Sequence, residues 1–152
     1  MRRFLFLYLA VFATAGPLSD EKEAITTVQR LFDAMTAHAA DAARALFVPG
    51  APLTAVRADG TVSNSTSEQF VSHVGAAKEP WLERMWDPKV LVRGGLAVVW
   101  TEYDFHLNGT FSHCGVDSVT LVKTAGQWKI SGIAYTMEKT GCAPSPLGPP
   151  KK

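Results

Sequence analysis

Cysteine is scarce in this chain: 152 residues hold two, Cys114 and Cys142. Their separation matches no zinc-binding spacing, so a thiolate metal site is excluded at the outset. Histidine is nearly as thin, with four residues, and none of them falls in an HxH or HExxH pattern. Excess charge of one sign is also missing. The 15 basic and 14 acidic residues nearly balance, and apart from Arg2-Arg3 at the start the sole cationic block is the terminal Lys151-Lys152. Nucleic-acid binding and polybasic membrane attachment therefore have no electrostatic support. Nor is there a long apolar run. The most apolar stretch, Phe4 to Phe12 (FLFLYLAVF), is well short of the ~20 residues a membrane-spanning helix needs. No internal repeat is present.

That short run is informative in another way. Met1-Arg2-Arg3 is a basic start, Phe4 to Phe12 an apolar centre, and Ala13-Thr14-Ala15 a small-x-small cleavage pattern. Residues 1–15 are thus expected to be a signal peptide, residues 16–142 one domain, and residues 143–152 (APSPLGPPKK) a Pro-rich disordered tail. The expected location is outside the cytoplasm, periplasmic or secreted, with no membrane attachment after cleavage. The mature chain would carry 13 basic and 14 acidic residues. In an exported chain the even cysteine count points to a Cys114–Cys142 disulfide, with two free thiols as the alternative.

Three helices and then long strands follow from the patterning. Asp20 to His38 places Ile25, Val28, Leu31, Phe32 and Met35 on one helical face, with Asp20 and Glu23 as a capping signature. Ala39 to Phe47 reads as a second short helix, and Leu53 to Arg57 as a short strand. Ser65 with Glu68 opens a third helix carrying Phe70, Val71 and Val74 inward. Trp81 to Val92 is extended, with a bulge or edge position at Asp87-Pro88. Leu96 to Leu107, Thr110 to Lys123 and Gln127 to Glu138 are strands joined at Asn108-Gly109 and Ala125-Gly126. Helices followed by antiparallel strands make an α+β domain.

Two-residue turns fix a register. Asp104 then pairs with His113, Glu102 with Gly115, Trp100 with Asp117, and Asp117 with Ala134. One sheet face collects Val98, Trp100, Glu102, Asp104, His106, Phe111, His113, Asp117, Val119, Leu121, Trp128, Ile130 and Thr136. The other collects Val99, Thr101, Tyr103, Phe105, Leu107, Cys114, Val116, Ser118, Thr120, Val122, Ile133 and Tyr135. The first face is apolar at one end and charged at the other, as a cavity wall would be. The second is uncharged, as a subunit interface would be. One bulge in either hairpin would exchange these assignments beyond it.

The stretch Val98 to Ile130 (VVWTEYDFHLNGTFSHCGVDSVTLVKTAGQWKI), with AYTMEKTGC ending at Cys142, resembles the exported bacterial branch of the nuclear transport factor 2-like superfamily. That superfamily includes ketosteroid-isomerase-like, SnoaL-like and lumazine-binding-like proteins. The shared features are a W-x-x-Y segment, a hairpin, HCG-x-D, a G/W-x-I strand and a closing Gly-Cys; here Gln127 splits Gly126 from Trp128. The resemblance implies a cone-shaped curved antiparallel sheet with three helices of the N-terminal half on its concave side. It further implies an internal pocket and a homodimer. These folds host isomerases, dehydratases, hydrolases and non-catalytic modules, so fold does not fix function.

Glu102, Asp104, His106, His113 and Asp117 form the chemical cluster of this register. An imidazole oriented by a carboxylate suits general acid/base work, and Asp117 beside apolar neighbours would have a raised pKa. The plain structural alternative is that Asp117 and His113 are satisfied polar groups of the sheet. The same set could coordinate zinc or manganese, but without a ligating spacing no metal or other cofactor is expected. His38 reads as a helix-end residue, His73 on the third helix as solvated or cavity-lining alike, and Arg57 and Arg84 as surface charges, with admission of an anionic ligand as their alternative. The expected function is binding of a small organic molecule, lined by Trp100, Glu102, Asp104 and Trp128, with Asp117 and His113 as candidate catalytic residues. An isomerase or dehydratase using either as base is one alternative. A non-catalytic dimerisation or interaction module, its cone filled by Trp100, Trp128 and Phe111, is the other.

Overall fold

The long strands are set by two tight hairpins whose turn residues accept a left-handed backbone. Asn108 and Gly109 sit at φ 52 and 73°, Ala125 and Gly126 at 49 and 77°, the pattern of a turn that matches strand twist. The computed structural model of the chain describes residues 17–150, so the expected signal peptide lies outside the described residues. Its elements are α1 (Pro17–Thr36), α2 (Ala40–Arg44), β1 (Pro52–Arg57), β2 (Val62–Thr66), α3 (Ser67–Ala76), β3 (Trp81–Arg93), β4 (Leu96–Leu107), β5 (Thr110–Thr124) and β6 (Gln127–Met137). The six strands form one sheet in the order β2-β1-β6-β5-β4-β3, antiparallel except where β1 runs parallel to β6. It is a curved, unclosed α+β sheet with the helices in the N-terminal half.

Curvature comes from three irregularities that each add a residue to one strand. Asp87-Pro88 does so in β3, between Trp86 and Lys89, as the sequence indicates. Ser112 does so in β5, because Phe105 faces His113 while His106 faces Phe111. Ser131 does so in β6, because Thr120 faces Gly132 while Leu121 faces Ile130. Both hairpin turns are as expected, but these two bulges change what lies beyond them.

The amphipathic α1 buries Ala24, Val28, Leu31, Phe32 and Met35, one stripe at helical spacing, against the concave side of the sheet. They join Val99, Val119, Leu121, Trp128 and Ile130 in one core. Lys123 on β5 forms an ion pair with Asp20, which lies inside a helix that begins three residues earlier than expected. The third helix is capped by Thr66 and Gln69, one position beyond the expected Ser65 and Glu68, and the Glu68 carboxylate instead accepts the Gly50 N–H at 2.8 Å. The strand β2, absent from the sequence reading, pairs with β1 through a short polar hairpin. Cys114 and Cys142 are joined by a disulfide. Residues 143–150 have no helix or strand, yet Arg84 Nη1 donates to the Gly148 carbonyl at 2.8 Å. The tail therefore runs from the disulfide on β5 to Arg84 on β3 over the sheet's outer side.

Candidate functional site

Directly opposed residues in an antiparallel pair share a face, so the Ser112 bulge decides which half of β4 looks inward. Phe105 opposes His113, and Thr101 opposes Asp117. The inward residues of β4 are therefore Val99, Thr101, Tyr103 and Phe105, and the β4 faces are exchanged relative to the sequence reading. Trp100 and Glu102 lie outside and exposed. Asp104 and His106 are buried on that outer side, in the path of the C-terminal tail. The bulge at Ser131 likewise turns Ile133 and Tyr135 inward, with Asp117 opposite Tyr135 rather than Ala134. On β5 the inward assignment of His113, Asp117, Val119 and Leu121 stands. Phe111, half exposed, packs edge-on against His106 outside the cone. Trp128 is buried in the core at the closed end, and it is not part of the cavity lining.

What remains inside is a cavity of about 160 Å³ with mainly apolar walls. Leu31, Phe32 and Met35 of α1 form one side, and β3 to β6 present Trp81, Glu83, Tyr103, Phe105, His113, Asp117, Tyr135 and Met137 on the other. Two carboxyl groups, Glu83 and Asp117, thus meet within hydrogen-bonding reach in a greasy enclosure. Asp117 is 4% exposed, and its Oδ2 is buried without a hydrogen-bond donor. Such an acceptor is satisfied when one carboxyl of the pair carries a proton and donates it to the other. Burial pushes Asp117 up to about 7, although its bond with Glu83 pulls the other way. Glu83 rises well above the carboxylate range through burial, then through the Asp117 charge. Glu83, on the outermost strand, is half-buried and lines the cavity wall beside Asp117.

The other titratable groups are held neutral. Burial, followed by the Glu83 and Asp117 charges, pushes the Tyr103 and Tyr135 phenols up. Burial, with Lys139 nearby, pushes the His113 imidazole down. His113 Nδ1 is 3.1 Å from Ser112 Oγ, and its ring lies against Tyr103 and Phe105. Tyr103 also has a structural task. Its hydroxyl donates to the Thr136 carbonyl at 2.6 Å, reaching from β4 across β5 to β6. It passes where Gly115 faces it, and a Cβ at Gly115 would collide with the Thr136 carbonyl oxygen. The Val116 N–H, deprived of that carbonyl, is taken by Thr136 Oγ1 at 3.0 Å. The glycine of HCG-x-D is there for close approach.

Outside the cone, Asp104 is paired with Arg84 (Nε to Oδ1 2.9 Å) and lies 3.4 Å from His106 Nε2. Burial alone would raise the Asp104 pKa, but the Arg84 and His106 bonds hold it below the usual range. The five-residue cluster read from the sequence is thus split between two faces, and among the described residues no group of three or more His, Cys, Asp and Glu is arranged to hold a metal ion. His38 stacks edge-on against Trp81, whereas Arg57 and His73 are exposed. Glu83, Tyr103 and Tyr135 were not singled out in the sequence. The alternation Trp81-Glu83-Met85 is the one signal that could have marked Glu83, an acid spaced among large apolar side chains.

No family model matches the chain, and no curated protein matches it. Solved structures do. An NTF2-like superfamily protein from Salmonella enterica serovar Typhimurium superposes with a TM-score of 0.66 at 15% identity, covering 84% of this chain and 97% of that one. The fold is that of the nuclear transport factor 2-like proteins. An NTF2-like protein from Streptomyces avermitilis, provisionally called a dehydratase, gives 0.67 at 14% identity over 82% of this chain and all of that one. The β subunit of a provisionally assigned aromatic-ring-hydroxylating dioxygenase from Novosphingobium aromaticivorans gives 0.66 at 11% identity over 87% and 97%. At these identities the likeness concerns the NTF2-like fold, which carries unlike activities in its bearers. Among the described residues no helix is long and apolar enough to cross a membrane.

Proposed function

We propose that the chain is an exported domain that binds a small organic molecule in the concave cavity of its sheet. The observation that carries this reading is the cavity itself, roofed by α1 and holding the Glu83–Asp117 pair where apolar side chains would pack better. Its volume of about 160 Å³ is close to that of an engineered cavity of about 150 Å³ that accepts benzene. The large aromatics whose packing would fill a purely structural cone are elsewhere, Trp100 and Phe111 outside and Trp128 at the closed end. Native mass spectrometry of the protein from its own periplasm or medium tests the reading. A single small adduct is expected, absent from a Val119→Phe variant that fills the cavity; an adduct that survives this substitution is bound elsewhere and defeats the assignment.

One observation favours catalysis as a second reading. A buried carboxyl raised to about 7 is suited to taking a proton from carbon near neutral pH, the requirement of an isomerase or dehydratase base. Asp117 would be the base, Glu83 its proton partner, and His113 a neutral donor or acceptor at the same wall. We further propose that two copies associate through the outer sheet face, where Trp100 (52% exposed) stands among Val98, Val116, Ser118, Thr120 and Val122. A monomer in sizing experiments at micromolar concentration would remove that assignment.

A further inference from the structure

We propose that the cavity selects a small organic cation, an ammonium group carrying an apolar body of about the size of a benzene ring. This rests on the small-molecule reading above and adds the ligand's charge to it. The lining contains two carboxyl groups and one imidazole, with no lysine or arginine. The one guanidinium nearby on β3, Arg84, points to the outer face and is held there by Asp104 and Gly148. An anion entering this space would meet carboxylates without a countercharge.

Two features then favour a cation over a neutral guest. Asp117 Oδ2 is enclosed and has no donor, and an ammonium ion brings up to three N–H donors to such an acceptor. The walls around the pair are aromatic: Phe32, Phe70, Trp81, Tyr103, Phe105 and Tyr135. Ring faces attract cations, more strongly in a site from which water is excluded. A neutral alcohol could donate one hydrogen bond to Asp117 but would gain little from the rings and leave the pair's charge unanswered.

The arrangement couples binding to proton release. A cation beside the pair stabilises its ionised form, so the shared proton leaves when the ligand enters. The titratable groups facing the pair are Tyr103 from β4, His113 from β5 and Tyr135 from β6, while α1 presents Leu31, Phe32 and Met35 to the cavity and its Asp33 lines a second, surface cleft with Glu83. Asp104 acts on Glu83 from the outer face, Glu138 on Tyr103, Arg57 on Tyr135 and Lys139 on His113.

Three probes with one ring and three charges test the proposal: cyclohexylamine, cyclohexanol and cyclohexanecarboxylate. Isothermal titration at about pH 7, where Asp117 is partly ionised, in two buffers of different ionisation enthalpy, reads affinity and proton release together. The amine is expected to bind at least about tenfold more tightly than the alcohol, with an apparent enthalpy that differs between buffers, and the carboxylate not at all. An Asp117→Asn, Glu83→Gln double variant should lose the amine's advantage while still binding the alcohol. If the alcohol or carboxylate binds the native protein as well as the amine does, the charge assignment fails and the small-molecule reading survives. Absence of binding by all three overturns both.

Discussion

Burying Asp117 leaves a thermodynamic trace that an Asp117→Asn variant should erase. The carboxyl titrates at about 7 in the fold against an ordinary 3.8. Each unit of difference corresponds to about 1.4 kcal/mol, which sets a ceiling of about 4 kcal/mol for this one group. For an acid raised by folding, the contribution is fully present below the unfolded value and lost as pH rises through the folded one. Between about pH 4 and pH 7 the unfolded chain releases the proton while the fold retains it, so stability falls across that window. Glu83, also raised, acts in the same direction. Asp104, held low, loses its contribution only as pH falls below the usual carboxylate range. His113 opposes, because a depressed imidazole contributes most above its unfolded value and less as pH falls. Asparagine keeps the shape, can donate to Glu83, and subtracts the Asp117 titration. Urea unfolding followed by tryptophan fluorescence from about pH 4.5 to pH 8 should show the variant gaining on the native protein by about 2–4 kcal/mol at the alkaline end. Parallel stability curves for the two proteins would refute the reasoning, since the carboxyl would then titrate alike folded and unfolded.

Three further outcomes follow from the outer and middle strands. Gly115→Ala should cost about 3 kcal/mol or more, because the added methyl meets the Thr136 carbonyl on β6; an unchanged melting temperature would contradict the close approach. Tyr103→Phe should cost about 1–2 kcal/mol in urea unfolding, since the Thr136 carbonyl loses its donor in the interior, and a loss near zero would mean that water replaces the hydroxyl. Cys142→Ser should cost about 3–4 kcal/mol for a 28-residue separation in the chain-entropy model, and reduction of the native protein should match it; a reductant-insensitive native protein would show that the tail is held by other contacts.

Much of the architecture was legible because it depends on local chemistry. The two hairpin turns, the bulge at Asp87-Pro88 and the amphipathic first helix are written in residues a few positions apart. The disulfide followed from the count of cysteines and an export-like start. Which side of β4 faces the helices was not legible, for a definite reason. That side is set by Ser112, an ordinary residue that the partner strand skips, and nothing in its own chemistry announces the skip. The site inherited the error on β4 and escaped it on β5. Asp117 and His113 line the cavity because they lie beyond the bulge on the strand that contains it, whereas Trp100 and Glu102 were carried outside. Glu83 stayed invisible because its partner is brought to it across β4 by sheet curvature.

The bulge has a consequence for how this protein tolerates the loss of a residue. Removing Ser112 would leave Phe105 opposite His113 and His106 opposite Phe111, since the skipped residue is the one taken away. No side chain would change sides; only the bend and the Ser112 contact to His113 would go. A single-residue deletion at this position is therefore a change of form without a change of chemical content, whereas the same deletion a few residues further along β5 would turn the segment between it and the bulge inside out. Among lineages that shorten this strand, position 112 is where a lost codon would reshape the cone's rim and keep its acids in place.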